Sequence, residues 1–96
     1  MLINRGIAPG EIITIKTTAG EEIVSKLVED GPMSVTVSKP LCLTATNNGI
    51  GLVPFLFTTD PDADIAISKN TVMVLAPTVK DAKDRYIQQT TGIKLV

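Results

Sequence analysis

The chain contains no histidine and no tryptophan, and it has a single cysteine, one tyrosine and two phenylalanines. Without histidine the Ser–His and Cys–His pairs that activate many side-chain nucleophiles cannot form, and the commonest metal ligand is missing. The lone Cys42 has no partner for an intrachain disulfide. It lies in the apolar run Leu41-Cys42-Leu43, which reads as a small buried hydrophobe in a reducing compartment. There is no Gly-rich phosphate loop, and the closely spaced carboxylates Asp60 and Asp62 have no evident apolar pocket to separate their pKa values. The chain is therefore read as a non-enzyme that needs no cofactor and no metal. A charge excess is also lacking, since 9 Lys and Arg against 10 Asp and Glu give a net charge of −1. Proteins that wrap duplex nucleic acid usually carry an obvious basic excess, so any nucleic-acid site here must be local. No run approaches the roughly 20 apolar residues that span a bilayer, and the N-terminus lacks the apolar core of a secretion signal. The expectation is a cytoplasmic chain with no membrane partner.

With 96 residues, the chain has the length of one small domain, whose apolar set is mainly Ile, Val, Leu and Ala. The β-branched members favour pleated, half-buried surfaces. Residues 1–10 carry Arg5-Gly6 and Pro9-Gly10 and read as an irregular N-terminal arm. From Glu11 to Thr18, Ile13, Ile15 and Thr17 alternate with Thr14, Lys16 and Thr18, the period of a strand with one solvated face. Ala19-Gly20 then supplies a turn. Glu21 to Glu29 is again strand-like, but the pairs Ile23-Val24 and Leu27-Val28 break the alternation, as a bulged or strongly curved strand would.

Asp30-Gly31-Pro32 ends that run, and Met33 to Thr46 forms a third, with Met33, Val35 and Val37 on one side and Pro40 marking a bulge or an edge. Asn47-Asn48-Gly49 predicts a primed hairpin turn, with Ile50 to Thr58 returning antiparallel. Asp60-Pro61-Asp62-Ala63 reads as a turn. Its alternating carboxylates resemble the opening of a calcium loop, but Ile65 and Thr71 then occupy the positions that need Gly and Glu. Short strands follow at Asp64 to Lys69 and Val72 to Ala76, with Lys69-Asn70 as a polar tip between them. Past Pro77, Thr78 is the expected cap of a helix over residues 78–92. Val79, Ala82, Tyr86 and Ile87 share one face of it, Lys80-Asp84 and Asp81-Arg85 are spaced for ion pairs, and Gly92 is the stop.

Two of these segments together resemble the Sm and LSm family, which includes bacterial Hfq. In the family's first motif a strand, a turn glycine and a long bent strand lead to Asp-x-x-Met-Asn. Here Gly20 holds the turn, and Asp30-Gly31-Pro32-Met33-Ser34 matches all but the final Asn. In the second, Ile67-Ser68-Lys69-Asn70-Thr71-Val72 has the family's apolar positions, and Lys69-Asn70 resembles the Lys-His of Hfq with Asn in place of His. Pro32 and Ser68 stand where Hfq often has an aromatic.

The resemblance, which spans residues 11–77, implies a mainly β fold: a small, strongly bent five-stranded antiparallel Sm-like barrel followed by a C-terminal α-helix of the same domain. It implies that copies close into a homo-oligomeric ring through strand edges. Such a ring binds single-stranded RNA, or DNA, near its pore and acts as a chaperone or accessory factor in nucleic-acid processing. Asp30, Met33, Ser34, Lys69 and Asn70 would form that nucleic-acid site: Asp30 shaping the loop, Ser34 and Asn70 meeting base edges, and Lys69 offering charge. From the residues alone, Asp30 and Lys69-Asn70 are equally natural turn residues, and Met33 reads as a core residue rather than a ligand-binding one. The reduced motifs fit a divergent phage-type member, which would work in its host's cytoplasm. Two alternatives stay open, a ring-forming structural or protein-interaction module without nucleic-acid binding, and a monomeric barrel within a larger complex.

Overall fold

Strand formation follows the β-branched runs. The computed structural model describes residues 7–92, together with the backbone of Leu2–Ile3. Its elements are β1 (Leu2–Ile3), β2 (Ile12–Thr17), β3 (Glu22–Asp30), β4 (Ser34–Thr46), β5 (Gly49–Pro54), β6 (Asp64–Ser68), a 3₁₀ turn (Lys69–Thr71), β7 (Val72–Pro77) and α1 (Lys80–Thr91). They form one sheet in the order β1-β7-β2-β3-β4-β5, with β6 pairing the first half of β4. Every pairing is antiparallel except the short parallel ladder of β1 on β7.

The domain is thus mainly β with one C-terminal helix, as expected. It has six antiparallel strands, where five were expected, and the sheet is not closed. Closure would need a ladder between β6 and β7, and among the described residues β6 pairs only β4 while β7 pairs β2 and β1. Where irregular backbone was expected near the N-terminus, Leu2 and Ile3 pair with Val74 and Leu75.

The alternation read in β2 is observed: Ile13, Ile15 and Thr17 are buried while Ile12, Thr14 and Lys16 are half-buried. On the same face, Ile23, Leu27, Val35, Val37, Ile67, Val72 and Leu75 complete the main core. Removing each such side chain from water contributes about 1.5–3 kcal/mol, so this cluster supplies much of the folding free energy. A second cluster lies on the opposite face of β3, where Val24, Leu41 and Tyr86 are buried with Ile12, Leu43, Leu52 and Ile87 packed around them. The apolar pair Ile23-Val24 exists because β3 is covered on both faces.

The ladder between β3 and β4 shifts register at two places, between Val24 and Lys26 and between Leu27 and Glu29. At the first, Lys39 and Pro40 are the residues left over, and Lys39 has a positive φ of 49°. A left-handed non-glycine residue costs about 1–2 kcal/mol, and the bulge also takes carbonyls out of the ladder. Hydrogen bonds offset this. Ser25 Oγ donates to the Ser38 carbonyl at 2.7 Å, and the Tyr86 hydroxyl is shared at 2.9 Å between the carbonyls of Ser38 and Lys39. The Phe55 amide donates to the Pro40 carbonyl. Of the bulge or edge expected at Pro40, the bulge forms, and it is also the point where β4 exchanges β6 for β5 as its partner.

Other details differ from expectation. The hairpin joining β4 to β5 forms at Asn47-Asn48, but only Gly49 has positive φ (114°), so its turn is not of the primed type. Beyond Pro54, which has no amide to donate, the expected strand stops and residues 55–63 run irregularly. Thr78 does not cap α1. Its hydroxyl is paired with that of Thr14 at 2.8 Å, and Val79 occupies the cap position without a side-chain bond. Val79 is exposed, so the helix anchors through Tyr86 and Ile87 instead. Lys80 does pair with Asp84, raising the Lys80 pKa chiefly through their hydrogen bond. Arg85 does not bond Asp81: it donates to the Ile50 carbonyl at 2.9 Å, and Gln89, one turn on, donates to that of Leu52. These two side chains cover the edge of β5, the last strand of the path. Gly92 ends the helix in the left-handed conformation, as expected.

Burial pushes the Tyr86 phenol up to about 12 from an ordinary value of 10. The folded protein therefore holds this proton more tightly than the unfolded chain does. The resulting stability is fully present below pH 10 and is lost as pH rises from 10 through about 12. Tyr86→Phe should lower the unfolding free energy by about 1–2 kcal/mol at neutral pH in a urea titration. It should also flatten the alkaline decline, and an unchanged decline would remove Tyr86 as its source. Replacing both Arg85 and Gln89 by alanine should make the protein self-associate with rising concentration in sedimentation velocity, whereas a persistently unchanged species would show that these side chains do not guard the β5 edge.

Candidate nucleic-acid interface

The connection from β3 to β4 is only three residues long, Gly31 to Met33. The Gly31 amide donates to the Ser34 carbonyl at 3.0 Å, and a Cβ on Gly31 would lie 3.2 Å from that same oxygen, so the turn closes tightly there. Register between β4 and β6 sets Ser34 opposite Ser68 and Val35 opposite Ile67. The chain leaving β6 consequently passes beside the chain entering β4, and the Lys69 amide donates to the Met33 carbonyl at 3.0 Å. No hairpin tip forms at Lys69-Asn70, because β6 and β7 go to different partners. A 3₁₀ turn fills the junction, held by the Ser68 hydroxyl accepting from the Asn70 amide and by the Thr71 hydroxyl donating to the Ser68 carbonyl.

All five residues of the expected site thus lie in one cluster, although 35 to 40 positions separate the two segments. The principal polar contact in it is an ion pair: Lys69 Nζ lies 2.6 Å from Asp30 Oδ1, with the lysine side chain 18% and the aspartate 34% exposed. The charge expected for phosphate is matched inside the chain. Asn70 is exposed, and its carboxamide makes no bond to protein. The half-buried Ser34 hydroxyl is likewise unbonded. Met33 is 77% exposed, so its side chain is not part of the core with Val35 and Val37. The cluster offers hydroxyl and amide groups beside a soft apolar side chain, around a compensated charge pair and without an aromatic ring.

Elsewhere, Asp60 accepts from the Asp62 amide through its carboxylate at 2.9 Å, forming the expected turn, and Asp62 pairs with Lys39 at 3.2 Å. Among the described residues no three His, Cys, Asp or Glu side chains converge as metal ligands. Cys42 is half-buried, and burial, followed by the negative charge of Glu21, raises its thiol pKa. It therefore remains a thiol at neutral pH. No helix among the described residues is long and apolar enough to cross a membrane.

Two grooves flank α1. One, of about 420 Å³, includes Pro40, Leu56, Phe57 and Ile65 in its lining. The other, of about 450 Å³, brings Lys26, Lys39 and Lys83 together. None of these three lysines is among the site residues expected from the sequence. Their meeting depends on where α1 docks, for which nothing in the local sequence is a signal. The chain matches no protein-family model and no curated protein.

A double-mutant cycle of Asp30→Asn and Lys69→Met, followed by chemical denaturation, should give a favourable coupling of about 1 kcal/mol. A coupling indistinguishable from zero would mean that the two side chains are separate in solution.

Proposed function

We propose that the chain is an Sm-like subunit that assembles with copies of itself into a closed ring and binds single-stranded RNA, or DNA, at the cluster of Asp30, Met33, Ser34, Lys69 and Asn70. The observation that carries this reading is the convergence of the Asp30–Ser34 turn with the Lys69–Asn70 turn. Further support comes from the strands β7-β2-β3-β4-β6, which run as neighbours across the sheet. The first and last of them are joined by only the three residues of the 3₁₀ turn, a connection suited to the bent strands of that family. The β5 hairpin is then an addition to the Sm-like core.

Binding in such a site rests on hydrogen bonds more than on charge. Single strands present unstacked bases whose edges can meet Ser34 and Asn70, while Met33 supplies an apolar surface. Lys69 reaches phosphate only by leaving Asp30, so each subunit contributes little electrostatic affinity. Repetition around a ring compensates, because linked weak sites act at high effective concentration. The function that follows is that of an RNA chaperone or accessory factor in nucleic-acid processing, without catalysis.

The Asp30–Lys69 pair specifically favours a second reading, a ring-forming protein-interaction module without nucleic-acid binding, since it leaves the loop cluster without an uncompensated cation. Sedimentation with labelled U-rich and A-rich RNA at low and moderate salt separates the two. Under the first reading a ring-sized species carries RNA, Lys69→Ala weakens binding and reduces the salt slope by about one per site, and Asp30→Asn strengthens binding by freeing the lysine. A ring that carries neither RNA nor DNA would establish the second reading, and a monomer would sink both.

A further inference from the structure

Lys26 on β3, Lys39 at the β4 bulge and Lys83 on α1 line the 450 Å³ groove between the helix and the outer face of the sheet. Ten carboxylate side chains are available in the sequence, yet among the described residues neither Lys26 nor Lys83 has an ion-pair or hydrogen-bond partner. The Lys39 ammonium is paired with Asp62 at 3.2 Å, so its charge is already matched. Glu11 is the one acidic residue in the lining and offsets a single charge. Ser38, Thr90 and Thr91 add polar groups to the lining, and its apolar part is formed by the half-buried Ile12 and Ile87 and by the buried Tyr86, whose hydroxyl is already committed to backbone carbonyls.

Two lysines without an ion-pair partner among the described residues, one on β3 and one on α1, line this groove and raise the local positive potential in a chain whose net charge is −1. An ammonium is a compact point charge that suits phosphate, and the apolar walls suit a flat ring. The volume is within the range of small-ligand sites and admits one nucleotide. We infer that this groove binds a phosphate ester bearing a planar heterocyclic base, with Lys26 and Lys83 on the phosphate and the face of the ring against Ile12 and Ile87. The same chemistry is presented by a free mononucleotide and by one nucleotide of a single strand. This site shares no residue with the Asp30–Lys69 cluster and does not depend on ring formation.

The test is calorimetric titration of the full chain at low salt with uridine 5′-monophosphate, inorganic phosphate and an oligouridine strand. Uridine monophosphate should bind more tightly than inorganic phosphate. The double change Lys26→Gln and Lys83→Gln should weaken it about tenfold or more, and Lys69→Ala should leave it unchanged. Circular dichroism of the variant controls for folding, which these exposed positions should not disturb. If the oligouridine binds no more tightly than the monophosphate, with the same loss in the double variant, the ligand is a free nucleotide. If it binds far more tightly and is lost with the same lysines, the ligand is a strand. No binding of uridine monophosphate, equal affinity for inorganic phosphate, or binding indifferent to Lys26 and Lys83 would each overturn the proposal. Loss of oligouridine on Lys69→Ala with monophosphate binding intact would count for the loop site alone and leave the groove standing.

Discussion

The arrangement of the molecule depends on one irregularity in β4. A regular 13-residue strand would keep the same partner along each edge and could not pair with β6 in one half and β5 in the other. At Lys39-Pro40 the strand bulges, its register on β3 shifts, and its outer edge changes partner. The left-handed backbone of Lys39 is unfavourable by itself, and so are carbonyls removed from their ladder. Ser25, buried in β3, and Tyr86, buried in α1, are bonded to those carbonyls. The helix is therefore part of the mechanism that holds the sheet's irregular point, and the second apolar cluster surrounds that point.

The same partition sets the chemistry of the loop cluster. Because the first half of β4 is paired with β6, the turn that enters β4 is carried against the turn that leaves β6, and Asp30 meets Lys69. The ion pair orders two exposed connections at once, but it also removes a free positive charge from the place where a polyanion would otherwise be drawn. Free lysines occur instead beside α1, on the other side of β3. Two surfaces of different character result, one polar and nearly neutral, the other cationic with apolar walls.

Much of this was legible in the residues. Alternation from Glu11 to Thr18 marked the strand and its buried face, Pro40 marked a bulge or an edge of which the bulge forms, and the Asp30–Ser34 and Lys69–Asn70 segments, linked in the sequence only by the family resemblance, lie side by side. Features set by distant contacts were not legible. Thr78 has the chemistry of a helix cap, but Thr14, 64 positions earlier, takes its hydroxyl. Arg85 is spaced for Asp81 yet reaches a strand carbonyl, because α1 lies across β5. Met33 follows the period of Val35 and Val37, but the tight turn at Gly31 leaves it outside the strand and in solvent. Local pattern records which groups can interact, whereas topology decides which of them are near enough to do so.

The two-residue strand β1 has a consequence for any assembly built on strand edges. Such an assembly needs two complementary edges per copy, one to give and one to receive. The β5 edge is covered by Arg85 and Gln89, so β6 and β7 remain, and Leu2–Ile3 already occupies the edge of β7 beside Val74 and Leu75. The Leu2–Ile3 strand is therefore a built-in competitor for an incoming strand, holding its place with a very short ladder. Whether a neighbouring copy docks is then a contest between an intramolecular partner of few bonds and an intermolecular one of many, and the balance moves with protein concentration.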